Sequence, residues 1–223
     1  MKNATKHADA LKSYFKKLVK QHEVPELTPM EPLRALVMGC LSFDTSDART
    51  EEAIKVIETE FVDLNELRVA TELEVLEMIG SRMPDLESRV SMFITSLNAI
   101  FAREHSLGLE RVRALPKREI RQFFRELPGM NPFVDAYIML YGFDTHAFPV
   151  DSGTLQTLIA EDLLEEQTTI DEAQKFVEHH LKDDECYKLY WCMRHAKKRK
   201  EARGGCATSA SAPLPKLRSV FNR

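Results

Sequence analysis

The chain has 223 residues, of which 43% are hydrophobic and 30% charged, and a net charge of −4. This is the balance of a globular protein with apolar material for one large or two small cores. The longest apolar run, 35–43, is far shorter than the ~20 residues that span a bilayer. The Lys-rich N-terminus, MKNATKHADALKSYFKK, lacks the apolar centre of a secretion signal, so a cytoplasmic protein with no membrane partner is expected. Cys40, Cys186, Cys192 and Cys206 form no disulfide framework.

Charge is distributed unevenly. From 191 to 223 there are nine Lys/Arg and one acid, Glu201; removing these from the totals of 31 and 35 leaves 22 basic and 34 acidic residues before them. A body near −12 repels a polyanion, so nucleic-acid binding has to rely on local donors and on the tail, near +8.

Taken in order, 5–21 is an amphipathic helix with Leu11, Phe15, Leu18 and Val19 on one face. After a Pro-punctuated exit, 33–41 is apolar nearly all round, as a central core helix is. The Ser/Asp cluster at 42–47 ends it and can cap the next helix, 48–61. Short helices follow at 64–67 and 72–79, the second stopped by Gly80. Leu86, Val90, Phe93, Ile94, Leu97, Ile100 and Phe101 mark the clearest amphipathic helix. Two more, 107–115 and 117–127, are separated by Pro116; then come helices at 132–141, from Asp151, from Thr168/Thr169 to 182, and from Asp184 to about 199. No alternating strand pattern occurs, and no internal repeat. The fold class is all-α, with roughly ten helices, and the low-complexity stretch 204–213 reads as flexible.

Between the helices ending at Leu127 and beginning at Pro132 lies a tight Pro128-Gly129 turn. A turn leading into a helix N-terminus concentrates unpaired N–H donors, a natural seat for a phosphate. The stretch LPGMNPFVDAYIMLYGF, then FPVDSGTLQTL with Asp151 22 residues after Gly129, resembles the helix-hairpin-helix and Val-Asp loop of the endonuclease III (HhH-GPD) superfamily of DNA glycosylases. PLRALVMGCLSFDTSD, 32–47, is similar to that family's early buried helix and the loop after it.

The resemblance implies a two-lobed helical bundle: 31–145 as a central lobe carrying the hairpin, 1–30 with 146–200 as a second lobe, and 201–223 as a flexible basic tail. It implies a monomeric base-excision-repair enzyme acting on double-stranded DNA, associated with the nucleoid if active. Asp151 would be the catalytic carboxylate, stabilising an oxocarbenium-like sugar or orienting water; from the residue alone it reads as a helix N-cap, a role that does not exclude the catalytic one. Phe133 stands where bifunctional relatives carry the Schiff-base lysine, which implies hydrolysis without lyase chemistry and an aromatic that either stacks on a flipped base or packs between the two lobes. Gly129, Met130 and Asn131 would hold a DNA phosphate, with Asn131 taking a glycine's place at positive φ; the resemblance also leaves room for a monovalent cation at the hairpin. Asp135 falls where the family prefers a small residue and brings an anion to the phosphate site.

Asp44 takes the place of a glutamine that fills the gap left by an extruded base, and Ser81 that of an apolar wedge; both substitutions weaken base flipping, and Asp44 is otherwise a loop or capping residue. The family's four cluster cysteines are replaced around 197–203 by Lys and Arg, and Cys206 alone cannot ligate an iron–sulfur cluster, so no cofactor is expected. Lys197, Lys198, Arg199 and Lys200, in a basic tail beginning at Arg194, are candidate DNA contacts. His179, His180 and His195 have no metal-site spacing. A non-catalytic DNA-binding descendant, or a helical protein that contacts protein, is the alternative.

Overall fold

The computed structural model describes residues 4–80 and 83–202, with side chains between 5 and 195. Among the described residues there are twelve helices and no strand. They form two compact units, Pro29–Thr145 and, from both ends of the described chain, 4–28 with 146–202. No described helix is long and apolar enough to cross a membrane.

The Pro29–Thr145 unit is built on α2 (Pro32–Ser42) and α9 (Pro132–Phe143). α2 buries Leu33, Ala35, Leu36, Val37, Cys40 and Leu41, and α9 buries every residue from Phe133 to Leu140, so both are enclosed helices. Glycines let them approach. A Cβ on Gly39 would lie 3.3 Å from Cγ1 of Val134, and one on Gly142 would lie 2.9 Å from Cα of Pro32. Each of these two helices starts with proline, whose missing N–H costs nothing at the first position.

Around this pair lie α3 (Asp47–Glu60), α4 (Leu64–Val69), α5 (Glu72–Ile79), α6 (Leu86–Glu104), α7 (Glu110–Arg113) and α8 (Lys117–Arg125). α6 packs on α2, α4 and α5 through the predicted stripe of Leu86, Val90, Phe93, Ile94, Leu97 and Ile100. On the same face Arg89 is buried, and its guanidinium donates to the carbonyls of Cys40, Leu41, Phe43 and Pro84. It thereby satisfies orphan carbonyls at the end of α2 and fixes the loop that follows.

Local chemistry sets several boundaries. Thr71 and Glu74 form a capping box at α5, and Asp63 caps α4 by accepting from the Glu66 amide. Gly80 ends α5 at φ +77°. The Ser/Asp cluster does not cap α3 as expected: Ser46 stands at the N-cap without a side-chain bond, and Asp47 supplies a first-turn negative charge instead. The helix expected over 107–115 shrinks to α7 because Leu109 takes a left-handed φ of +43° ahead of it.

In the other unit, α1 (Ala4–Gln21) buries Ala8, Leu11, Phe15 and Leu18 and packs on α11 (Ile170–His180) and α12 (Asp183–Ala202), while α10 (Ser152–Ala160) packs on α11. Thr169 and Glu172 form the capping box of α11. α12 buries Cys186, Tyr187, Leu189, Tyr190, Cys192 and Met193.

Candidate nucleic-acid interface and active-site residues

The hairpin between α8 and α9 forms as a turn over Leu127–Met130, closed by the Met130 amide donating to the Leu127 carbonyl at 3.2 Å. Leu127 is buried and anchors it, while Pro128 and Gly129 are exposed. Gly129 has φ +73°, and a Cβ there would meet only Met92 Cγ at 3.9 Å, so conformation rather than space demands glycine. Asn131 differs from the expectation of a positive φ. At φ −102° and ψ 160° it is the N-cap of α9, and its side chain accepts from the Val134 amide at 2.8 Å. The backbone N–H groups of Gly129 and Asn131 have no acceptor among the described residues. The hairpin thus presents open donors at the head of a helix.

Asp135, in the first turn of α9, is only 1% exposed, and its Oδ2 accepts from Nε of Arg121 at 2.9 Å and Nε of Arg125 at 3.0 Å. The anion feared beside the phosphate site is therefore more than neutralised, since the three charges sum to +1. Sequence reading missed both arginines; their i, i+4 spacing on α8 was the available signal.

Phe133 is 1% exposed, packed against Phe43 at 5.4 Å between ring centroids and Tyr137 at 5.9 Å. It presents no free ring face; the aromatic nearer solvent is half-buried Phe43, which sequence reading passed over. Next to it Asp44 is exposed, at φ +47° in the loop held by Arg89. The structure thus brings the Asp44 loop and Phe133 together through Phe43. Ser81 lies outside the described residues.

In the other unit Asp151 is the N-cap of α10, 4% exposed. One carboxylate oxygen, Oδ1, accepts from the Thr154 amide at 2.6 Å, and the other, Oδ2, accepts from Nη1 of Arg194 at 3.2 Å. The Arg194 side chain is 13% exposed. This corrects its assignment to the basic tail: it lies beside buried Tyr190 and Met193 on α12 and turns inward to a buried carboxylate. A lone arginine among apolar α12 residues was the signal that could have found it. Lys197, Lys198, Arg199 and Lys200 lie on the α12 backbone, but their side chains are outside the described residues, as is Cys206.

The described cysteines do not fit an iron–sulfur cluster. Cys186 and Cys192 sit six positions apart on α12, on different faces, and Cys40 belongs to the other unit. Burial pushes all three thiols up, Cys192 to about 11 and Cys40 to about 12. No group of three or more His, Cys, Asp or Glu able to hold a metal occurs among the described residues.

No family model matches the sequence, and no curated protein matches it. Solved structures do match. The 8-oxoguanine glycosylase/lyase of Clostridium acetobutylicum, in complex with dsDNA containing cytosine opposite 8-oxoG, is 17% identical with a TM-score of 0.69, covering 89% of this chain and 71% of that one. A non-covalent endonuclease III–DNA complex is 14% identical, TM-score 0.68, covering 95% and 92%. The H. pylori 3-methyladenine DNA glycosylase bound to 1,N6-ethenoadenine is 14% identical, TM-score 0.63, covering 89% and 98%. The chain has the all-helical fold of the helix-hairpin-helix DNA glycosylases.

Proposed function

We propose that the protein is a monofunctional DNA glycosylase, hydrolysing the N-glycosidic bond of a damaged or mismatched base in duplex DNA with Asp151 as its catalytic carboxylate. The observation that carries this reading is a carboxylate held rigidly at the N-terminus of α10 by the Thr154 amide and Arg194, in a fold whose solved examples act on DNA bases. Water adds to the anomeric carbon as the bond to the base breaks, and the base leaves with its electron pair and a proton. The positive charge developing on the sugar is what the Asp151 anion opposes. The open amides of Gly129 and Asn131 hold a backbone phosphate. Phe133 has no amine for a Schiff base, so no lyase step follows.

A second reading, a non-catalytic DNA-binding protein on the same fold, is favoured by a specific observation. Both Asp151 oxygens are engaged, and the Arg194 cation lies where it offsets the field that a cationic sugar would feel. A base-release screen over duplexes with alkylated, deaminated, oxidised and mismatched bases separates the two. Release that Asp151→Asn abolishes supports the enzyme; duplex binding without release from any substrate supports the binder. Borohydride should trap no covalent adduct at an abasic site, and an adduct would overturn the monofunctional assignment.

A further inference from the structure

The body of the chain is acidic, yet α8 is not: its sequence KREIRQFFR carries four basic residues and one acid. At 3.6 residues per turn, Arg118, Arg121, Gln122 and Arg125 fall within an arc of about 100°, opposite the buried Ile120, Phe123 and Phe124. The acids stand at the margin of this face. Glu126, just past the helix, is engaged by Gln122 at 2.8 Å and by Arg103 at 3.6 Å. Arg118 is exposed and makes no hydrogen bond or ion pair among the described residues.

The Asp135 cluster shows how part of this face is fixed. A carboxylate paired with arginine frequently uses both oxygens against a guanidinium fork. Here two Nε groups converge on Oδ2, while Oδ1 is buried with no hydrogen-bond partner. Arg125 is gripped by its inner edge alone; its side chain is 49% exposed and makes no other bond among the described residues. Its outer edge, carrying the Nη donors, is left for a ligand. Four residues further on comes Gly129, with its open amide.

We infer that the arginine face of α8 is a second phosphate-binding surface for duplex DNA, in which Arg118 and Arg125 contact backbone phosphates and buried Asp135 positions Arg125. The inference rests on the DNA-binding reading above and extends it from the hairpin amides to charged side chains of the preceding helix. Phosphate is the occupant that the charge selects, and a guanidinium edge is the donor that matches it.

The test is binding of the full chain to a short undamaged duplex across a salt series, with Arg118→Gln, Arg125→Gln and Arg125→Lys, and Arg49→Gln as an exposed control on α3. Each phosphate contact contributes about 0.9 to the slope of log K against log salt. Arg118→Gln and Arg125→Gln are each expected to lower that slope by about one, equally on unrelated sequences. Arg125→Lys keeps the charge but not the Nε edge, so the slope should hold while affinity falls at every salt concentration. Arg49→Gln should match wild type. If wild type fails to bind duplex at low salt, the DNA reading itself is lost and this inference with it. If wild type binds with the slope unchanged in both Gln variants, only the α8 surface is refuted, its face then serving some other partner. An Arg125→Lys protein equal to wild type in slope and affinity overturns the positioning role of Asp135.

Discussion

Replacing Asp151 by Asn separates the two things this carboxylate does. Asn accepts the Thr154 amide about as well as Asp, so the N-cap of α10 survives. The ion pair to Arg194 does not. Both side chains are largely buried, 6% and 13% exposed, and removing one partner of such a pair costs about 3–5 kcal/mol because the other charge stays desolvated. Arg194 keeps further interactions, which places the expected loss near the lower end, about 3 kcal/mol, or roughly 6–12 °C in Tm for a chain of this size. Asp151→Ala also loses the cap and should cost about 1 kcal/mol more. Urea denaturation with an unchanged m-value is the assay. Arg194→Met should cost a similar amount, and the double variant much less than the sum, because the same pair is broken once. The reasoning fails if Asp151→Asn is as stable as wild type or more so. A carboxylate held under strain purely for chemistry would behave in that way, since neutralising it relieves the strain.

Three further outcomes follow from the packing and the caps. Gly142→Ala puts a methyl group 2.9 Å from the backbone of Pro32 and should destabilise the Pro29–Thr145 unit by about 1–3 kcal/mol, whereas an alanine at Gly39, 3.3 Å from a Val134 methyl, should cost less; thermal melts of the two variants rank them. Cys40, Cys186 and Cys192, their thiols pushed up by burial, should resist a thiol reagent at mildly alkaline pH until denaturant is added, and rapid native modification of any of them would contradict the burial. The Glu74 and Glu172 carboxyls are held below the usual range, first by the Thr71 and Thr169 amides and then by their hydroxyls. A depressed folded value means that the caps contribute fully above the ordinary glutamate value of about 4.3 and fade as pH falls through the folded value. NMR titration of the two carboxyls should place both below that value, and Thr71→Ala and Thr169→Ala, which remove the hydroxyls but keep the amides, should raise them only part of the way back.

The hairpin was legible because its residues act through their own backbones. Gly129 has the positive φ that only glycine takes freely, Pro132 fits the first helical position, and their spacing to Asp151 survives without any long-range information. Asn131 shows the limit of such reading. Asn serves both a left-handed residue and an N-cap, and only the φ of −102° decides for the cap. What could not be read were charges whose partners are remote in sequence. Arg89 reaches carbonyls at 40, 41 and 43; Arg194 reaches Asp151, 43 positions away; Asp135 is reached by Arg121 and Arg125 across the hairpin. In a sequence each of these is one more polar residue on a helix, and each proves at least half-buried or paired once a second helix is placed beside it.

Asp151 belongs to both categories, which is why its role turns on a residue outside the motif. Its Oδ1 does the local work, capping α10, and any helix start with Asp would supply that. Its Oδ2 is the oxygen the cap leaves over for the proposed hydrolysis, and Arg194 holds it. A glycosylase must therefore either tolerate the guanidinium beside the developing cation, at a cost in transition-state stabilisation, or exchange that contact when DNA arrives with phosphates of its own. In the first case Arg194→Met raises the single-turnover rate of base release; in the second it lowers it, because the freed carboxylate loses the group that had set its orientation. A plain DNA-binding protein shows neither change and keeps its affinity in both Asp151→Asn and Arg194→Met. The side chain that decides between the two functions is thus the first arginine of a segment whose composition reads as a basic tail.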